Sequence, residues 1–157
     1  MRKSVIPQST QDAKTPEADW LDLESQARAE LTSEEAAYPF ESALKADGGP
    51  GWKASEPGRQ TIRLLFDTPV RVKRVHVAFR EVDQDRTQEF LIQWSSDGGR
   101  AYREIVRQQY TFSPPGNTYE SEDYEVDLAG LTELEITIVP NISGGSARAS
   151  LAELRLA

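Results

Sequence analysis

The sequence predicts an all-β fold, a sandwich or barrel of short antiparallel strands. Three observations lead there. Apolar residues recur at every second position through most of the chain, the period of strands with one face on a core. The gaps between these runs are short and carry Gly, Pro, Asp and Ser turn chemistry. Helical periodicity is limited to one possible turn around residues 39–44.

In chain order, residues 1–18 are rich in Ser, Thr, Gln, Asp, Lys and Pro without an apolar period, and read as a disordered tail. Trp20, Leu21 and Leu23 open the ordered domain, which spans 19–157, and Trp20 is expected to anchor its edge to the core. In 60–66, Ile62, Leu64 and Phe66 alternate with Thr61, Arg63 and Leu65. Asp67-Thr68-Pro69 reads as a break between strands. In 70–79, Val70 and Val72 share one parity while Val75, Val77 and Phe79 take the other. That slip predicts a β-bulge at Lys73-Arg74. Phe90, Ile92 and Trp94 form the next inward row, and Ser96-Asp97-Gly98-Gly99 supplies a hairpin turn, which favours residues able to adopt positive φ. Pro114-Pro115-Gly116-Asn117 ends the following strand. Tyr124, Val126 and Leu128, then Leu134, Ile136 and Ile138, and after Ser143-Gly144-Gly145-Ser146 the residues Leu151, Leu154 and Leu156, complete the inward set. Ile62, Val77, Ile92, Ile136 and Leu154 are the expected centre of the core.

Composition narrows function. The chain has 157 residues, no cysteine, a single histidine and a net charge of −8. Disulfide and thiolate chemistry are therefore impossible, and a His-rich metal site is excluded. An acidic chain is repelled by phosphate backbones and anionic lipid, so neither nucleic acid nor a membrane is an expected partner. No run approaches the ~18 apolar residues of a membrane span. No apolar stretch follows Met1-Arg2-Lys3, so the expected location is cytoplasmic and the acceptor pattern Asn141-Ile142-Ser143 is without consequence. Among reactive candidates, His76 falls in the row opposite Val75 and Val77 with no partner legible in the sequence. The acid run Glu120–Glu125 reads as a solvated strand face that guards an edge, able to pair with the basic face of 71–74. There is no nucleophile–base pair, metal cluster or phosphate-binding glycine loop. No catalytic residue is assigned, and the expectation is that the chain is not an enzyme.

Three segments, in order, resemble the discoidin-like family of galactose-binding-like jelly rolls, which includes coagulation-factor C-type domains and many carbohydrate-binding modules. Ser42-Ala43-Leu44-Lys45-Ala46-Asp47-Gly48-Gly49-Pro50-Gly51-Trp52 resembles the family's Asp-rich loop. Phe90 to Tyr102, through Ser96-Asp97-Gly98, resembles its hairpin, and Ala149-Ser150-Leu151-Ala152-Glu153-Leu154-Arg155-Leu156 its closing strand. The resemblance covers about 38–157 and implies an eight-stranded, mostly antiparallel jelly roll. It also implies a non-catalytic module that binds a carbohydrate or other small polar ligand through loops near 34–38, 80–86, 110–117 and 139–146. The ligand groups it suggests are Tyr38, Arg80, Arg86, Tyr110, Phe112 and Asn141. The competing reading puts Tyr110 and Phe112 on the core face with Val106 and pairs the arginines with Glu81, Asp83 and Asp85. The resemblance further implies a structural calcium ion on Asp47 and Glu153, but Lys45 and Pro50 replace two of the family's ligand positions, and no cofactor is required. A cytoplasmic protein-interaction or scaffold domain is the alternative.

Overall fold

The computed structural model describes residues 20–45 and 48–157. A single helical turn, α1 (Leu23–Gln26), is followed by strand β1 (Ala27–Leu31), a 3-10 helix (Phe40–Leu44), β2 (Trp52–Pro57), β3 (Gln60–Arg80), β4 (Arg86–Ser95), β5 (Arg103–Phe112), β6 (Tyr119–Val139), β7 (Arg148–Leu151) and β8 (Glu153–Leu156). The predicted tail over 1–18 lies outside the described residues.

Two long strands, β3 and β6, organise the molecule. They pair antiparallel from end to end, but their register shifts between Leu65 and Val70, again between Val70 and Val72, and again between Val72 and Arg74. Asp67-Thr68-Pro69 is thus a bend inside one strand and not the break that its composition suggests. Gly130 lies in the matching bend of β6 and takes a φ of 70°, which glycine adopts without the Cβ penalty of other residues. The bends divide the pair between two layers. In the first layer the order is β1, β3 (60–65), β6 (131–139), β4, β5. In the second, β3 (70–80) lies between β6 (119–128) and β8. The layers face each other: the Phe79 and Phe90 rings, from strands that share no backbone pairing, sit 4.9 Å apart. The fold is an all-β sandwich of eight strands.

The bulge at Lys73-Arg74 is present. Both amides donate to the single carbonyl of Ala157, at 2.6 and 2.9 Å, so two residues oppose one. This resets the parity and lets Val72 and Val75, three apart, both be fully buried. Ile62, Val77, Ile92, Ile136 and Leu154 are all at most 1% exposed and belong to one continuous core. At the hairpin between β4 and β5, Asp97 accepts bonds from the Ser95 hydroxyl and from the amides of Arg100 and Ala101. Strands β1 and β2 are absent from the sequence reading, and the last apolar row is two strands: β7 pairs β2, then the chain turns at Ala152 and β8 pairs β3.

Trp20 packs differently from its expected role. Its ring lies on the outer face of the second layer, between the guanidinium groups of Arg74 and Arg155 at 5.1 and 5.2 Å. Leu23 is the neighbouring residue buried in the core. On the same outer face His76 places Nδ1 3.2 Å from Asp123 and Nε2 3.7 Å from Glu153. The expected charge rows exist there, as Arg71 pairs with Asp127 and Arg74 with Asp123.

The acid run is the main correction. Glu120 is 2% exposed and belongs to the same inward parity as Tyr124, Val126 and Leu128. It lies between the layers, where the carboxamides of Gln88 and Gln108 donate to it, each at 3.2 Å, and Gln108 also reaches Glu122 at 2.7 Å. Burial pushes the Glu120 carboxyl up to about 7, with the Glu122 charge adding to the effect and the two carboxamides opposing it. Only the alternate residues of the run, Ser121, Asp123 and Glu125, form an exposed face.

Candidate functional site

The cleft at one end of the sandwich is built on the two-stranded ribbon of β2 and β7. Alternation gives the ribbon two unlike faces. Trp52, Ala54, Ala149 and Leu151 are fully buried, while Lys53, Arg148 and Ser150 point the other way and line the cleft. Lys53 sits directly across from Ser150 in register. The chain reaches the ribbon through Gly51, whose φ is 78° and where a Cβ would lie 2.6 Å from the carbonyl oxygen of Leu151. Only glycine permits that approach.

Two further segments wall the cleft. The 35–38 segment is tied along β2, since the Glu35 amide donates to the Lys53 carbonyl at 2.9 Å and the Lys53 amide to the Tyr38 carbonyl at 3.2 Å. The Lys53 ammonium lies 4.2 Å from the centre of the Tyr38 ring. Opposite stands the end of β3 with the loop that follows it, Arg80 to Gln84. The Ser150 hydroxyl donates to the Arg80 carbonyl at 3.4 Å, holding ribbon and loop together. Within the loop, Glu81 receives the Asp83 amide at 3.0 Å and the Arg86 guanidinium at 2.6 Å. Burial pushes the Glu81 carboxyl up, but those donors outweigh it and hold it below the usual carboxylate range. The volume of this open cleft is about 470 Å³.

Of the six ligand residues expected from the sequence, Tyr38 and Arg80 line this cleft. Arg86 does not: it is 3% exposed, bonded to Glu81 and to the Pro140 carbonyl, with its guanidinium 4.9 Å from the Phe112 ring centre. Phe112 is fully buried beneath it. These two positions are corrected to structural ones, because the ion pair to Glu81 and the ring beneath draw the arginine inward. Tyr110 packs edge-on against Phe112 at 4.9 Å, and its hydroxyl lies 3.1 Å from the Tyr119 carbonyl, bracing the loop before β6. Asn141 closes its own turn by accepting the Ser143 amide at 3.1 Å. Neither lines the cleft, although Ser146, at the end of the same connection as Asn141, does.

Lys53, Arg148 and Ser150 escaped the sequence reading. Their signal was the alternation of 147–151, where small buried residues on one parity imply polar groups exposed on the other. Tyr119 was also missed. It is 44% exposed beside Arg80, whose guanidinium lies 5.5 Å from its ring centre. With Val82 and Ile142 it completes the large exposed hydrophobics among the described residues; those two lie in connections and Tyr119 opens β6, all at this end of the sandwich.

Of the two residues expected to hold calcium, Asp47 lies outside the described residues. Glu153 faces nitrogen on both sides, Arg155 at 3.2 Å and His76 at 3.7 Å. Among the described residues no three His, Asp or Glu side chains converge as a metal site.

No family model and no curated protein matches this sequence. The structure matches many solved ones. A family 32 carbohydrate-binding module from C. perfringens NanJ, in complex with galactose, superposes with a TM-score of 0.64 at 18% identity, over 87% of this chain and 96% of that one. The two share one β-sandwich fold. A second structure, the CBM32 of AlyQ in complex with 4,5-unsaturated mannuronic acid, gives 0.63 at 19% identity, covering 88% and 97%. The same sandwich occurs outside sugar-binding modules. Reduced XRCC1 bound to the DNA pol beta catalytic domain matches with a TM-score of 0.58 at 16% identity, covering 84% and 96%. Among the described residues no helix is long and apolar enough to cross a membrane.

Proposed function

We propose that this chain is a carbohydrate-binding module without catalysis, and that it seats a sugar in the cleft between the β2–β7 ribbon and the loop after β3. The observation that carries this reading is the convergence, in about 470 Å³, of an aromatic ring (Tyr38), planar and point cations (Arg80, Arg148, Lys53) and the hydroxyls of Ser146 and Ser150. That volume lies within the ~300–1,000 Å³ of small-ligand sites. A sugar ring presents one apolar C–H face for stacking and an edge of hydroxyls for polar groups, and the cleft offers both kinds of partner. The solved family 32 structures with sugar ligands support the same reading.

A glycan array followed by titration calorimetry tests it. Tyr38→Ala and Arg80→Ala should each weaken the best array ligand at least about tenfold, a loss of ~1.4 kcal/mol, with the melting temperature nearly unchanged. Affinity retained in both variants would place recognition elsewhere, and an array with no binder removes the reading.

The second reading is a protein-docking module. Its support is the grouping of Val82, Tyr119 and Ile142 at this end, together with the solved XRCC1 complex of the same fold. A glycan-silent chain that captures a specific protein from native lysate, and loses it on Tyr119→Ala, would favour this reading.

A further inference from the structure

Eight lysines and arginines among the described residues have no carboxylate within 4 Å, and three of them line the cleft. Arg28, Arg63, Arg71, Arg74, Arg86, Arg107 and Arg155 each have a carboxylate within 4 Å. Lys53, Arg80 and Arg148 have none among the described residues, although the chain holds 26 acidic residues against 18 basic ones.

Ser150 is the hub of their arrangement. Lys53 lies across the ladder from it. Arg148 is two positions away along β7 and so on the same face. The carbonyl of Arg80 accepts its hydroxyl. Three like charges lining one cleft repel one another. The fold offers no internal return for placing them together. The cleft's own acids do not neutralise them, since Glu81 is taken by Arg86 at 2.6 Å, which leaves Glu35 and Asp83 facing three cations.

We infer that the sugar this cleft accepts is acidic, with its charge on a carboxylate or a sulfate ester held over Ser150 by Arg80, Arg148 and Lys53. This rests on the carbohydrate reading above and goes beyond it. Arginine suits the role because its planar fork matches the two oxygens of a carboxylate, or two of a sulfate, with parallel hydrogen bonds. The hydroxyl of Ser150 can donate to the same group only by turning from the Arg80 carbonyl, which it meets at 3.4 Å.

The test uses the full chain and sugars that differ only in the charged group: galactose, galacturonate and galactose 6-sulfate; glucose and glucuronate; mannose and mannuronate. Amide chemical-shift titration at low salt reads affinity and confirms folding in the same spectra. In at least one series the acidic member should bind tenfold or more tightly than its neutral partner. The carboxylate and sulfate arms show which group is accepted. Raising salt from 20 to roughly 200 mM should shrink the preference, because the contact is partly solvent-exposed. Arg148→Gln and Arg80→Gln should each erase most of it, while Arg100→Gln, in the hairpin at the far end, should keep it. Equal affinity for neutral and acidic members overturns the inference and leaves the sugar reading standing. If no member of any series moves the cleft resonances, both fall together.

Discussion

At the scale of single residues, Glu120 is a carboxyl whose chemistry departs widely from its sequence type. Its carboxyl titrates near 7 in the folded chain, against 4.5 for an ordinary glutamate. A raised acid stabilises the fold while protonated. The contribution is therefore complete below about 4.5 and is lost as pH rises through about 7. With ~1.36 kcal/mol per unit, the shift corresponds to roughly 3 kcal/mol. Denaturant midpoints measured from pH 5 to pH 8 should fall in the parent chain, and Glu120→Gln should flatten the profile. An equally steep profile in the variant would assign the dependence to other groups. The position of this residue was legible in principle. Counting back by twos from Leu128 reaches Tyr124, Glu122 and Glu120, so the same period that identified the strand placed a carboxylate indoors. What the sequence does not carry is Gln88 and Gln108, whose carboxamides come from other strands and make that burial tolerable. Arg86 follows the same logic. Its buried place depends on Glu81 and on the Pro140 carbonyl, a partner 54 residues distant.

At the scale of elements, alternation and turn chemistry located most strands, and the bulge at Lys73-Arg74 followed from parity alone. The failures share one cause. Strand β1 (Ala27–Leu31) has only partly buried and exposed positions, so no apolar row marks it. In β2, Lys53 and Ser55 alternate with Trp52 and Ala54, but the alanine is too small to register as an inward residue. Asp67-Thr68-Pro69 has the composition of a turn, yet the strand continues through it because β6 bends beside it at Gly130. The β2–β7 ribbon yields its own prediction. Gly51→Ala must place a methyl group 2.6 Å from the Leu151 oxygen at a φ of 78°. The combined backbone strain and overlap should cost roughly 2–4 kcal/mol in denaturant unfolding, and the cleft should lose its ligand with the displaced ribbon. A variant as stable as the parent would mean that the corner relaxes freely.

At the scale of the molecule, the two layers are held by side chains that meet across strands without backbone pairing. Phe79 against Phe90 is one such contact, and both rings are fully buried. Phe90→Ala should cost ~3–5 kcal/mol, the transfer of the ring plus the cavity it leaves. Calorimetry should show a single lowered transition, since both layers share one core; two separate transitions would show that the layers unfold independently. The fold class and the core were readable because burial imposes a period on the chain. Of the cleft, Tyr38, Arg80 and the loops near 34–38, 80–86 and 139–146 were readable. Its other walls are assembled from β2 and β7, about a hundred residues apart, and a pairing of that range leaves no local trace.

The bond between Glu81 and Arg86 bears on how quickly this molecule can meet what it binds. The loop after β3 is clamped from within before any guest arrives, so its shape need not be searched for during the encounter. Little conformational freedom is left there for association to remove. Capture should proceed in one kinetic phase set by collision and orientation, and the lifetime of the complex would then rest on how well the guest matches a mould already cast.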